Sequence, residues 1–129
     1  RPCEEMYCRD FKGSGVDLVA GCYEDPDPAV VQKCVDIMAC VRRTGCGRID
    51  GIWAEPCYCG TATSLDCQLA KGVNGPCKAE FEAAAGSADP VYITGKFSVR
   101  QGPTRAMANA VLLVQCDAQY CPDTCTPHP

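Results

Sequence analysis

The stretch from Asp27 to Gly47, DPAVVQKCVDIMACVRRTGCG, decides the fold class. Val30, Cys34, Ile37, Met38 and Val41 recur at steps of three and four, the spacing of one face of an α-helix. Asp27 offers a capping carboxylate, Pro28 suits the first helical position, and Gly45 follows the basic pair Arg42 and Arg43 as a stop. The pattern predicts a helix over 28–44. Cys34 and Cys40 lie about 240° apart around its axis, so they reach for different neighbours and staple the helix on two sides.

Those two cysteines belong to a set of 13 in a chain of 129 residues: Cys3, Cys8, Cys22, Cys34, Cys40, Cys46, Cys57, Cys59, Cys67, Cys77, Cys116, Cys121 and Cys125. Such density marks a disulfide framework of an oxidising compartment. The length fits one domain over 1–129, with an acidic segment 1–27, a helical core 28–120 and a Pro-rich tail 121–129. No two cysteines stand three residues apart, which excludes the Cys-X-X-Cys of zinc ribbons, thioredoxin-type redox pairs, ferredoxin loops and haem attachment. His128, the single histidine, is penultimate, so mixed Cys/His metal sites are disfavoured too. The metal arrangement left over joins Cys57-Tyr58-Cys59 to a distant thiolate pair. Plain disulfides are the preferred reading, with no metal and no cofactor. Pairing is not legible, because twelve cysteines alone allow on the order of ten thousand connectivities. An odd total leaves at least one sulfur either as a thiol, buried like a small hydrophobe, or bonded to another molecule.

Away from the first helix the signals are shorter. Residues 45–63, GCGRIDGIWAEPCYCGTAT, read as a loop pinned by Cys46, Cys57 and Cys59. Trp53, the only tryptophan, is a core plug under that loop or a contact anchor on a partner. Ser64 can cap a short helix over 64–71, and Gly75-Pro76-Cys77 opens another over 76–85 that stops at Gly86. Glu80 and Glu82, two residues apart on it, point in different directions and suit a solvated face rather than an acid pair. After Asp89-Pro90, Val91, Ile93, Phe97 and Val99 alternate with Tyr92, Thr94, Lys96, Ser98 and Arg100, the period of a strand or hairpin around Gly95. A second long helix is predicted over 104–120, with Ala106, Ala110 and Leu113 on one row and Met107, Val111 and Val114 beside it. The expected fold is mainly α: a small disulfide-stapled helical domain with long loops and at most one short strand or hairpin near 91–100.

The chemistry inventory excludes more than it selects. A net charge of −4 and an isolated Arg42-Arg43 pair give no basic face for nucleic acid. The longest apolar stretches, such as Ala110 to Val114, fall far short of the ~20 residues that cross a bilayer. His128 in a proline-flanked tail is a poor catalytic base, and there is no Gly-X-Ser-X-Gly. Gly13-Ser14-Gly15 and Gly45-Cys46-Gly47 lack the third glycine of a phosphate cradle. The chain is expected not to be an enzyme, with no catalytic residues assigned. It begins at Arg1, so a leader removed on export is expected. Neither Asn74 nor Asn109 forms a glycosylation sequon, and a bacterial source is compatible.

Four segments carry a family likeness: DPAVVQKCVDIMACVRRTGCG at 27–47, PCYCG at 56–60, GPCKAE at 75–80 and ANAVLLVQCDAQYCPDTC at 108–125. In this order the chain resembles small secreted cysteine-rich proteins of myxobacteria and related soil bacteria, over roughly residues 20 to 125. The resemblance implies an exported, disulfide-stapled protein and carries no activity with it.

The functional expectation is an extracellular structural protein that self-associates as a homo-oligomer, such as a subunit of a surface layer or filament. Two features motivate it. The cysteine count is odd. Residues 1–27 carry three basic and seven acidic side chains, whereas 90–116 carry Lys96, Arg100 and Arg105 with no acid. Head-to-tail contacts are then complementary, and contacts of that kind that do not close build fibres. Trp53, Lys96, Arg100, Arg105 and His128 are the candidate subunit contacts. The alternative is a secreted binding module, an inhibitor or accessory subunit of another extracellular complex, acting through a stapled loop at 46–59.

Overall fold

The Asp27 carboxylate accepts a hydrogen bond from the Ala29 N–H at 2.9 Å, and Pro28 occupies the first turn where its missing N–H costs nothing. Helix α1 therefore runs Pro28–Thr44, as the periodicity predicts, and ends where the Gly45 N–H returns to the Val41 carbonyl at 2.8 Å. The computed structural model describes residues 21–47, 54–99 and 101–120. The segment 1–20, Trp53, Arg100 and the tail 121–129 lie outside them.

The inward stripe of α1, Val30, Cys34, Ile37, Met38, Cys40 and Val41, packs on two partners, α4 (Lys78–Ala85) and α6 (Arg105–Tyr120). Helix α6 buries Ala106, Met107, Ala108, Ala110, Leu112, Leu113, Val114 and Cys116, so apolar groups surround nearly its whole circumference. A helix with that distribution sits inside rather than on the surface. An aromatic trio closes the core at the α4 end: Tyr58, Phe81 and Phe97 lie with ring centroids 5.6 to 5.9 Å apart, two of the three pairs edge-on.

Between α1 and α4 the segment expected as a loop holds a short helix, α2 (Glu55–Cys59), followed by α3 (Ser64–Gln68). The cap of α3 is Thr63, whose hydroxyl accepts from the Asp66 N–H at 3.1 Å, and the helix stops three residues short of the expected Lys71. Neither helix is long enough to persist alone. They are held by the strip Asn74–Cys77, which lies against α2: Gly75 N–H donates to the Tyr58 carbonyl and Cys77 N–H to the Cys57 carbonyl, at 2.9 and 2.8 Å. Two glycines permit the approach. A Cβ on Gly75 would collide with the Cys57 and Tyr58 carbonyls, and one on Gly60 would stand 2.7 Å from the Asn74 backbone carbon. That strip bonds to α2 and turns at Pro76-Cys77 where the sequence suggested the first turn of a helix, and α4 starts at Lys78.

The expected strand or hairpin near 91–100 is instead a helix, α5 (Pro90–Gly95). Asp89 caps it by accepting from the Val91 N–H at 3.0 Å, Pro90 supplies its first position, and the Thr94 hydroxyl donates to the Pro90 carbonyl at 2.8 Å. Only Ile93 turns inward, while Val91 and Tyr92 are exposed. An isolated strand would leave its backbone groups without ladder partners, and no strand exists among the described residues to supply them. The helix satisfies those groups internally.

Four bridges are formed among the described residues: Cys22–Cys34, Cys40–Cys77, Cys46–Cys57 and Cys59–Cys67. The first fastens the short turn Cys22–Glu24 to α1. Cys34 and Cys40 serve opposite flanks of α1, as their angular separation requires. Cys116 is disulfide-bonded too.

Candidate functional site

The chain concentrates reactive atoms at one place. Cys40 near the end of α1, Cys46 just beyond it, Cys57 in α2 and Cys77 at the cap of α4 bring two bridges side by side. Cys46 Sγ lies 3.8 Å from Cys77 Sγ, although the two belong to different bridges, and the sulfurs of Cys46, Cys57 and Cys77 all lie within 4.8 Å of one another. Cys40, Cys57 and Cys77 are fully buried, whereas Cys46 is half-buried. The Thr44 hydroxyl donates to the Cys40 carbonyl at 2.8 Å and stands 3.1 Å from Cys46 Sγ and 3.8 Å from Cys77 Sγ. On the far side, Cys40 Sγ is 3.6 Å from the Pro76 carbonyl oxygen. The spacing of the three sulfurs would suit a soft cation, but metal ligation needs thiolates, and these sulfurs are bridged. Cys57 and Cys59, read together as a metal candidate, enter separate bridges.

A second feature is apolar. Helices α3 and α5 are neighbours, and each shows large side chains to solvent: Leu65 at 64% exposure and, at the cap of α3, Leu69 at 53%, with Val91 at 57% and Tyr92 at 37% on α5. Leu65 and Leu69 are four residues apart on either side of the buried, bridged Cys67, so the staple fixes their shared face outward. By contrast, the groove between α1 and α4 is shallow, about 230 Å³, and its lining mixes Lys33, Asp36 and Glu80 with alanines.

The expected subunit contacts separate into two groups. Trp53, Arg100 and His128 lie outside the described residues. Lys96 places its ammonium 5.4 Å from the centre of the Tyr92 ring, beside the apolar face. Arg105 grips Asp25, with Nε to Oδ2 at 2.6 Å and an Nη2 contact to Oδ1 at 3.3 Å. This forked pair holds the Asp25 carboxyl below its usual range, chiefly through the Arg105 hydrogen bond. One acidic–basic pairing between the two charge-segregated segments thus closes inside a single chain.

Tyr58 is the other unusual group. Its hydroxyl is buried and has no hydrogen-bond partner, and burial, assisted by Glu82 and Asp89, pushes its pKa up to about 12. The exposed leucines and Thr44 drew no notice in the sequence. The leucines leave one trace there, an apolar i, i+4 pair with a cysteine between them, too short to show which side faces out. Thr44 leaves none, because it meets Cys46 and Cys77 through space.

Among the described residues no helix is long and apolar enough to cross a membrane. No protein-family model, curated protein or solved structure matches this chain.

Proposed function

We propose that this is an exported structural protein that self-associates, as a subunit of a surface layer or filament. The observation that supports this reading best is the apolar face of α3 and α5. Four large side chains are held in water by two short helices and the cap of one of them, which is stapled at Cys67, where a monomer with no association to make would gain by polar replacements. The covalent framework suits a protein that persists in an oxidising medium. The odd cysteine count also supports it, since thirteen cysteines cannot all pair within one chain. In this reading the chain has no catalytic role, and its partners are copies of itself.

Sedimentation across a hundredfold range of protein concentration tests the proposal. The wild type is expected to move toward larger species as concentration rises, and the variant carrying Leu65→Glu and Leu69→Glu to remain monomeric with an unchanged far-ultraviolet spectrum. A wild type that stays monomeric throughout defeats it. A second reading then takes over, that of a binding module acting on a different protein, supported by the closure of the loop 46–57 through Cys46–Cys57. Retention of a heterologous partner from culture supernatant, lost when that bridge is removed, supports that alternative.

A further inference from the structure

We propose that the abutting bridges Cys46–Cys57 and Cys40–Cys77 form a thiol-capture centre, entered at Cys46, that takes an incoming thiol as a mixed disulfide. Exchange begins when a thiolate attacks one sulfur of a disulfide along its axis and expels the other. Of the four cysteines, three are fully buried and Cys46 alone is a partly exposed residue, so Cys46 Sγ is taken as the point of attack and Cys57 leaves as the thiolate. In an isolated bridge the Cys57 thiolate would return to Cys46 and expel the newcomer. Here it has a second electrophile, Cys77 Sγ, within 4.8 Å, on a residue whose backbone N–H already donates to the Cys57 carbonyl at 2.8 Å.

Attack of the Cys57 thiolate on Cys77 forms a Cys57–Cys77 bond and breaks Cys40–Cys77. The electron pair of the broken bond stays on Cys40, which takes up the proton lost by the incoming thiol. The Pro76 carbonyl oxygen, 3.6 Å from Cys40 Sγ, stands ready to accept from that new S–H. One thiol enters and one thiol appears, the number of disulfide bonds is unchanged, and no external oxidant or reductant is consumed. The substrate class is an accessible thiol, either a small one such as glutathione or a cysteine of another protein chain.

The test needs only the native protein. It is incubated with reduced glutathione at concentrations that leave its far-ultraviolet spectrum intact, quenched in acid, digested without reduction and mapped by mass spectrometry. The expected product carries one glutathione at Cys46, a Cys57–Cys77 peptide pair and a new thiol at Cys40. An adduct at a different cysteine, a Cys46 adduct with Cys40–Cys77 intact and Cys57 as the thiol, or no adduct at all overturns the proposal. The double variant Cys40→Ser with Cys77→Ser is expected to lose the stable adduct, because Cys57 then has only Cys46 to return to; undiminished capture would also overturn it. Incubation without added thiol separates the sources: a ladder on a non-reducing gel whose cross-link maps to Cys46 shows a protein cysteine entering the same centre, and monomer alone restricts it to small thiols.

Discussion

The long-helix part of the molecule and the stretch from Cys46 to Cys77 are held together by different physics. Helices α1, α4 and α6 bury Ile37, Met38, Phe81, Met107 and Leu113 against one another, and no bridge between α1 and α6 is formed among the described residues. Among the described residues from 46 to 77 the buried ones are four cysteines, Tyr58, Ala54 and Gly47, so Tyr58 is the single large buried side chain among them. Three of the four bridges touch it. Where a segment can supply a periodic apolar face, packing orders it; where it cannot, covalent closure and two glycine-permitted backbone contacts do so. The sulfur cluster and the outward leucines both belong to the second kind of region. Its side chains need not point inward to keep it folded, and they are free to present chemistry.

The largest effect should come from the packed part. Phe81 is fully buried in α4 and touches both other rings of the aromatic trio. Phe81→Ala should cost about 3–5 kcal/mol by the usual sum of lost transfer energy and residual cavity. Urea unfolding should show it as a lower midpoint with unchanged slope. A loss below about 1 kcal/mol would mean that the bridges, rather than this core, carry the long helices as well.

The bridges should rank by the chain they close. Cys40–Cys77 spans 37 residues and ties α1 to α4, whereas Cys59–Cys67 spans only eight within the stapled stretch. Loop-closure entropy gives about 3.8 kcal/mol for the first and about 2.5 kcal/mol for the second. Paired Cys→Ser variants, compared by thermal unfolding, should fall in that order. Hydrogen exchange should show the loss of Cys59–Cys67 confined to α2 and α3. Uniform loosening of α1 and α6 by that variant would erase the distinction between the two regions.

The same contrast explains what could be read in advance. The steps of three and four from Val30 to Val41 mark α1 to the residue, because a helix that packs must repeat its apolar face. The cysteine density likewise announces stapling, and the charge segregation foreshadows Asp25–Arg105 without saying whether it closes within a chain or between chains. The pairing of Cys46 with Cys57 is silent, since disulfide partners share no local pattern. So is the docking of Gly75 on α2, a contact between segments some fifteen residues apart that shows only as two glycines. Residues 91–99 mislead for a definite reason. Val91 and Ile93 look like one face of a strand, but only Ile93 finds a core, and the Asp89-Pro90 cap with Thr94 bonding back is enough to wind the segment into a turn and a half of helix.

Tyr58 tests the seam, because among the described residues of the stapled stretch it is the one large side chain buried in the core. Its ring gains from Phe81 and Phe97, but its hydroxyl is buried without a partner, and an unmet donor is a cost with nothing against it. Tyr58→Phe keeps the ring and removes the cost, so at neutral pH it should leave stability unchanged or raise it by up to about 1 kcal/mol. The alkaline limb should differ more clearly. The folded pKa is raised from 10.0 to about 12, so the native state holds its phenolic proton through a range in which the unfolded chain releases it. Stability from this group is complete below pH 10 and falls, at roughly 1.4 kcal/mol per pH unit, until pH passes 12. The variant should lose that part of the slope, and ultraviolet titration of the wild type should show one of its five tyrosines ionising late. A Tyr58→Phe protein less stable by more than 1 kcal/mol would point the other way, to a buried water bonded to the hydroxyl and to a seam held by polar contact as well as by rings.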